Sequence, residues 1–164
     1  MGHVDARFDQ LVGELDYPMY IATTSAAGVN AGCLVGFTTQ VSINPPRFLV
    51  CLSLKNYTTT VAAAATHLAI HLLRADDAEL AQLFGEETGD RTDKFTRCRW
   101  SVGPHDVPVL GDAAAWFVGR IEARLEFGDH VGHLLAPEEV ELRRPLGSLL
   151  SFADVREFDP GHDP

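Results

Sequence analysis

The sequence predicts a mainly β protein whose strands close into a barrel, with two or three short helices at its periphery. Extended stretches rich in β-branched and apolar residues recur along the chain, at least six in number, and turn residues separate them. The 164 residues suffice for one domain, and no linker or internal repeat divides them. We therefore expect a single domain over residues 1–164, with its core at about 15–152, in which barrel closure removes exposed strand edges.

The first third of the chain predicts one helix and four strands. Residues 5–15 carry apolar side chains at helical spacing, so they predict an amphipathic helix that caps the core. Strands are expected at 19–24 and 29–35, joined as a hairpin by an Ala-Ala-Gly turn, and at 37–43, which a proline pair closes. Residues 47–54 are almost wholly apolar, which predicts a strand buried on both faces.

Two short helices and a strand are predicted next. Asn56 is a suitable N-cap for a helix over residues 58–65, because its side chain can accept a hydrogen bond from a first-turn amide. A strand is expected at 68–73. Asp76 and Glu79 resemble a capping box and predict the start of another short helix.

The remainder predicts a loop, three strands and a tail. Residues 85–94 are polar and contain glycine, which indicates a surface loop that can act as a lid. Strands are expected at 114–127, from 131 across 135, and between 140 and 152. The charged tail from residue 154 is expected to be loosely ordered.

Composition excludes several classes of protein. The net charge of −10 disfavours a nucleic-acid partner. No apolar run approaches the roughly 20 residues of a membrane-spanning helix, and the amino terminus shows no secretory signal, so a cytoplasmic location is expected. Three cysteines without a Cys-x-x-Cys pattern argue against disulfides and zinc-thiolate sites.

Three segments are candidates for a binding site, each with an ordinary structural alternative. Residues 54–60 combine a strand end, a lysine and a capped helix start, which suits a phosphate but equally a well-capped helix. Residues 32–42 combine glycines with hydroxyl and amide side chains, which suits a flat aromatic ligand or a barrel strand with a bend. Gly128-Asp129-His130 presents an imidazole at a turn, either for a ligand or simply at the surface.

A metal site is not predicted. His67 and His71 have the spacing of a helical ligand pair, but the residues between them alternate as in a strand, and no acidic residue lies where a helical motif needs it. His130 and His133 lack further ligands nearby in the sequence. No dinucleotide-binding, Walker or nucleophile-elbow motif occurs.

Together these segments resemble the flavin reductase-like family, which has an FMN-binding split-barrel fold. Val-Ser-Ile-Asn-Pro-Pro at 41–46 is similar to the family's Val-Ser-x-Asp/Asn-Pro-Pro. Cys-Leu-Ser-Leu-Lys-Asn-Tyr-Thr at 51–58, Asp-Lys-Phe at 93–95 and Gly-Asp-His at 128–130 follow in the family's order. The resemblance covers roughly residues 15–142.

The resemblance implies a six-stranded Greek-key barrel, a homodimer, and FMN, or FAD, in a groove between subunits. It also implies hydride transfer from NADH or NADPH to the flavin, in some members to supply a separate flavin-dependent monooxygenase. The flavin would perform the redox step while the protein aligns the nicotinamide.

Residue roles carried over from the family fall into four groups. The isoalloxazine would contact Gly36, Phe37, Thr38 and Thr39, with Ser53 nearby. Lys55, Asn56 and Thr58 would bind the ribityl phosphate, Lys94 and Phe95 would border the pocket from the lid, and His130 would position the nicotinamide as the catalytic residue.

One departure from the family pattern leaves a second function open. Leu-Val-Gly-Phe-Thr at 34–38 stands where the family often has Thr-Ala-Ser-Ser-Phe, so hydroxyls that frequently face the flavin are missing. An apolar pocket of this kind also suits a non-catalytic module that carries or senses flavin or haem.

Overall fold

A computed structural model describes residues 5–86 and 93–158. Most of the predicted 85–94 loop and the end of the predicted tail lie outside the described residues. Secondary structure alternates short helices with strands, in the chain order α1 Ala6–Gly13, β1 Tyr20–Ala26, β2 Val29–Val35, β3 Thr38–Ile43, β4 Pro46–Ser53, α2 Tyr57–Ala62, β5 His67–Leu72, α3 Ala78–Glu86, β6 Trp100–Val102, β7 Pro108–Leu110, β8 Ala115–Phe127, β9 His130–Leu142 and α4 Phe152–Val155. Single 3₁₀ turns lie at Lys94–Thr96 and Pro104–Asp106.

Most of the strands form one large antiparallel sheet, which confirms a mainly β fold. Seven strands pair in the order β2-β1-β5-β8-β9-β4-β3, and β6 pairs with β7 in a separate small sheet. The described residues therefore hold more than the six or so expected strands. The sequence pattern missed the small sheet because its strands have three residues each, too few for an alternating pattern to show.

The predicted last strand between 140 and 152 is wrong. Residues 140–142 are the end of β9, which runs opposite the start of β8. Beyond them the chain makes only isolated bridges, Pro18 to Ser151 and Arg74 to Leu149. The apolar pattern there reflects burial of Leu150, which is fully buried and whose main chain bonds with Leu73 and Met19.

The amino-terminal helix forms as predicted but does not cap the core. The Asp5 side chain accepts a hydrogen bond from the Arg7 amide and begins α1. The apolar side of α1 is nevertheless open, because Phe8 is 55% exposed and Leu11 is 59% exposed. The helical spacing therefore predicted the helix correctly, but the expectation that its apolar side packs on the core is wrong.

Strand β4 is buried on one face only, contrary to expectation. Val50 and Leu52 are fully buried in the core between the strands, beside Leu68, Ile70 and Leu135. The residues between them are only partly covered in this chain.

The two predicted caps have different outcomes. Asn56 accepts a hydrogen bond from the Thr58 amide at 2.9 Å and begins α2, as predicted. Before α3, the Asp77 carboxylate accepts a hydrogen bond from the Arg74 amide at 2.7 Å, which fixes the turn that leads into the helix. The start of this helix was therefore predicted correctly.

Within the described residues, no helix has the length and apolar character needed to cross a bilayer.

Candidate functional site

A groove opens where β2 ends and the chain turns into β3, and we call it the β2–β3 groove. The turn is fixed from both sides: the Thr38 amide donates to the Gly36 carbonyl at 3.1 Å, and the Cys51 amide of β4 donates to the Phe37 carbonyl at 2.9 Å. The groove encloses about 350 Å³. Apolar and aromatic side chains form most of its lining, which consists of Tyr17, Met19, Cys33, Leu34, Val35, Gly36, Phe37, Cys51, Leu52, Ser53, Asn56, Asp129, His130 and Phe152.

Gly36 lacks a side chain for a reason that lies within the protein. A Cβ at this position would lie 2.6 Å from Tyr17 Cε2 and 2.8 Å from Met19 Sδ. The sequence predicted that a glycine here admits another group close to the backbone. In the structure that group consists of the Tyr17 and Met19 side chains of the same chain, which form one wall of the groove. Tyr17 then extends the wall by stacking on Phe152, with centroids 5.0 Å apart.

The opposite edge of the groove is polar and is built by two strand ends. Ser53 at the end of β4 pairs with His130 at the start of β9. The Leu54 amide donates to the Asp129 carbonyl at 2.9 Å, which joins the loop after β4 to the turn before β9. Gly128 allows this turn because its φ of 66° is left-handed, a conformation that side-chain-bearing residues rarely adopt.

The imidazole at this edge is held in one orientation. His130 Nδ1 lies 2.7 Å from Asp129 Oδ1. Because an ionised carboxylate only accepts, Nδ1 donates the proton to Asp129, which leaves Nε2 as the nitrogen available to a ligand. The hydrogen bond from His130 lowers the pKa of Asp129, so the carboxylate stays ionised. The ring also contacts Phe37, with centroids 5.0 Å apart.

The groove brings together five of the residues that the family resemblance singled out. They are Gly36, Phe37, Ser53, Asn56 and His130. Three others lie next to it without lining it: Thr38 is half-buried, Thr39 is exposed with its hydroxyl bonded to the Gln40 carbonyl, and Lys55 is exposed beside Ser53.

Thr58 lies away from the groove. It is 1% exposed in the single chain. Its backbone amide is already bonded to Asn56. The residue predicted to contact a phosphate is therefore buried within the single chain.

Lys94 and Phe95 also lie elsewhere, at a concave surface near the other end of β2. Lys94 is buried, and its Nζ donates to the Gly32 carbonyl at 2.8 Å and to the Phe84 carbonyl at 3.1 Å. These bonds tie the segment after α3 to β2. Within one chain, the expectation that these two residues border the same pocket as Gly36 is not met.

Sequence reasoning missed Tyr17, Phe152 and two cysteines as lining residues. Tyr17 precedes the first predicted strand, and Phe152 belonged to a predicted strand that does not form. Cys33 and Cys51 were interpreted as structural. Burial raises the pKa of both thiols, so they stay protonated at neutral pH.

Comparison with known proteins identifies the class of protein. Residues 12–159 match the sequence model of the flavin reductase like domain. This match covers most of the chain, so the chain belongs to the flavin reductase like family.

The relatives include proteins named for flavin reduction. The chain is 33% identical over 113 residues to a probable flavin reductase of Rhizobium meliloti, a match that covers 68% of this chain and 35% of that protein. It is 26% identical to the 4-hydroxyphenylacetate 3-monooxygenase reductase component of Salmonella typhimurium, over 94% of this chain and 90% of the relative. It is 34% identical to the FMN reductase (NADH) RutF of Agrobacterium fabrum, over 67% and 63%. The chain spans about a third to a half of the length of the first two curated relatives it matches.

Solved structures share the fold. A flavin reductase domain protein from Arthrobacter superposes with a TM-score of 0.81 at 26% identity, over 90% of this chain and 89% of that one. Flavin reductase HpaC complexed with NADP+ superposes with a TM-score of 0.76 at 17% identity, over 85% and 87%.

Proposed function

We propose that this chain is an NAD(P)H-dependent flavin reductase that binds FMN, with FAD as the alternative flavin, in the β2–β3 groove. One observation carries the proposal: an apolar, aromatic groove ends at a polar edge where Asp129 orients His130. Membership of the flavin reductase like family supports the same activity.

The residues of the groove fit a flavin. Its flat apolar wall suits an aromatic ring system, and the strand ends supply polar groups at one edge only. A bound flavin would supply the redox chemistry by accepting a hydride. We assign the ring contacts to Gly36, Phe37, Thr38 and Thr39, with Ser53 nearby.

The phosphate contacts are proposed for the loop after β4. Lys55 contributes a positive charge next to Asp129, and Asn56 begins α2. Thr58 closes the helix cap through its backbone amide and keeps its expected place among the phosphate contacts. Lys94 and Phe95 receive a structural role in fixing the segment after α3 against β2.

His130 is proposed to position the nicotinamide. Its ring lies at the groove rim, 24% exposed, and Asp129 fixes the direction in which Nε2 points. A ring held in one orientation holds the donor nucleotide in one orientation, which favours transfer over non-productive binding.

We also propose a homodimer, in which the large sheet belongs to a split barrel. Several large apolar side chains on β3, β8 and β9 are open in the single chain: Ile43 is 84% exposed, Leu125 61% and Leu142 75%. Large apolar side chains left open on one sheet suit an interface with a second copy of the chain. Light scattering behind a sizing column is expected to give twice the chain mass, and Leu125→Glu is expected to reduce it. A monomeric wild type would contradict the dimer.

A flavin-dependent monooxygenase is the proposed recipient of the reduced flavin. The name of the Salmonella relative, a monooxygenase reductase component, supports this assignment.

The reductase activity is tested by spectroscopy. Protein mixed with FMN under anaerobic conditions is expected to bleach when NADH or NADPH is added. His130→Ala is expected to slow bleaching up to about 100-fold while flavin affinity changes less, because it removes alignment and not the flavin wall. The control Val102→Ala, at an exposed residue outside the groove, is expected to behave as wild type.

Other spectra would overturn the proposal. Flavin that stays oxidised with either nucleotide in excess would indicate carriage or sensing in place of catalysis. A Soret band in place of the flavin maxima would indicate haem.

A further inference from the structure

A second cluster of potential ligands lies outside the β2–β3 groove. His67 begins β5, His105 lies in the turn before β7, and Glu138 lies in β9. His67 Nε2 is 3.0 Å from Glu138 Oε1, and His105 Nε2 is 3.7 Å from Glu138 Oε2. One ligand atom from each residue lies within 4.8 Å of those from the other two.

A β-bulge places the carboxylate of this cluster. Val118 pairs with Glu139 and Gly119 pairs with Pro137, so Glu138 is an extra residue without a partner of its own on β8. Bulges redirect one side chain relative to the regular alternation of a strand. Here the redirected side chain is the one that meets His67.

The backbone around His105 is also unusual. His105 has a φ of 56° and Asp106 a φ of 64°, both in the left-handed region that side-chain-bearing residues rarely occupy. This conformation lays the His105 ring parallel on the His67 ring, with centroids 3.7 Å apart and planes inclined by 5°. Costly local geometry that brings two imidazoles together occurs mainly at functional sites.

The hydroxyl of Thr66 completes the surroundings of His67. Thr66 Oγ1 lies 2.8 Å from His67 Nδ1, and His67 is only 6% exposed. A histidine that binds a metal through one ring nitrogen almost always donates from the other to a hydrogen-bond acceptor. The Thr66 hydroxyl can serve as that acceptor, which directs the Nε2 lone pair of His67 toward Glu138.

We propose that His67, His105 and Glu138 bind a divalent transition-metal ion, with Zn²⁺ as the best fit. Two imidazoles and one carboxylate are a familiar zinc set that leaves a fourth position for water. The ion replaces the proton between His67 and Glu138. Arg120, whose Nε is 3.4 Å from Glu138 Oε1, then shifts toward its other partner Glu122.

Binding requires one adjustment. Parallel rings send their lone pairs along parallel directions, so one ring must tilt for both to meet a single ion. The His105 side chain is 47% exposed and can tilt without disturbing the core. The ion joins the turn between β6 and β7 to the large sheet, above the buried cluster of Val107, Val109 and Val118.

The test is metal titration of tag-free protein after treatment with EDTA. Calorimetry with Zn²⁺ is expected to show one ion per chain, and the melting temperature is expected to rise with Zn²⁺. Loss of a residue that only hydrogen-bonds to a metal ligand weakens metal binding about 10- to 100-fold. His105→Ala and Glu138→Gln remove ligands themselves, so each is expected to weaken Zn²⁺ binding at least about 100-fold. Glu139→Gln is the matched control and is expected to bind as wild type, because Glu139 lies outside the cluster.

X-ray absorption separates this site from thiol binding. Nitrogen and oxygen neighbours at about 2.0–2.1 Å support it, whereas sulfur at about 2.3 Å would assign the ion to cysteine and overturn the proposal. Absence of binding up to about 100 µM Zn²⁺, a level that detects affinities of about 5 kcal/mol or stronger, would also overturn it. So would full affinity in both ligand variants, once circular dichroism shows that they are folded.

Discussion

His71 makes the stability of this protein depend on pH. The side chain is fully buried in β5, where Nδ1 donates to the Ile21 carbonyl and Nε2 accepts from the Leu110 amide, each at 3.0 Å. Because the Leu110 amide can only donate, Nε2 must be unprotonated. Protonation of Nε2 would place its N–H directly against the N–H of Leu110. Burial is the main cause that lowers the pKa of His71 from its usual 6.5 to about 4.

The sign and size of the effect follow from this difference. Between pH 6.5 and about 4 the unfolded chain binds a proton at His71 that the folded chain does not, so stability is complete above 6.5 and is lost as pH falls through this range. A tenfold difference in proton affinity corresponds to about 1.4 kcal/mol, which gives a total loss of about 3 kcal/mol.

Urea unfolding at fixed protein concentration between pH 4 and 8 measures this loss. His71→Gln removes the titrating group, so the variant is expected to be less stable at pH 8 and to lose about 3 kcal/mol less than wild type on acidification. Subtracting the two curves cancels the contributions of other groups. Parallel curves for wild type and variant would refute the reasoning, since they would show that His71 titrates alike in the folded and unfolded chains.

Three further substitutions test the site and the packing around it. Asp129→Asn is expected to raise the KM for the nicotinamide nucleotide while the dissociation constant of the flavin stays unchanged, because the change loosens His130 and leaves the apolar wall of the groove intact. Equal weakening of nucleotide and flavin binding would instead indicate general disruption of the groove. Lys94→Met is expected to lower the free energy of unfolding by about 2–3 kcal/mol in urea, because two main-chain carbonyls lose a charged donor. Gly119→Ala is expected to lower the free energy of unfolding by about 1–3 kcal/mol, since its Cβ would lie 2.9 Å from a leucine Cβ on the paired strand. Its control is Gly13→Ala, which has open space around it and is expected to leave the urea midpoint nearly unchanged.

Local chemistry predicted much of the fold. The hairpin of β1 and β2, the Asn56 cap and the break at Gly128 each depend on a few adjacent residues, and each forms at the predicted place. Burial was predicted less well. The apolar sides of α1 and of β4 are both partly open in one chain, because a hydrophobic pattern shows that a face needs cover without showing what covers it.

The positions of the candidate site residues were likewise predicted only in part. His130, Ser53 and Asn56 meet in the groove because they lie at the ends of β4 and β9, which pair directly. Thr58 and Lys94 were placed by likeness to a sequence motif, and a motif does not show on which side of a strand or helix a hydroxyl or ammonium group lies. Both residues are buried in the single chain, and the Lys94 ammonium donates to main-chain carbonyls.

The histidines of β5 show most clearly why spacing alone cannot assign a ligand. His67 and His71 are four residues apart, and the alternating pattern excluded them as a helical pair; the structure agrees, because both nitrogens of His71 are bonded to main chain. The same reasoning dismissed His67, whose partners are a histidine in a left-handed turn and a glutamate in a β-bulge. Neither feature leaves a pattern in sequence, since each depends on strand register over many residues. A metal site of this kind is therefore visible only after the strands have been paired.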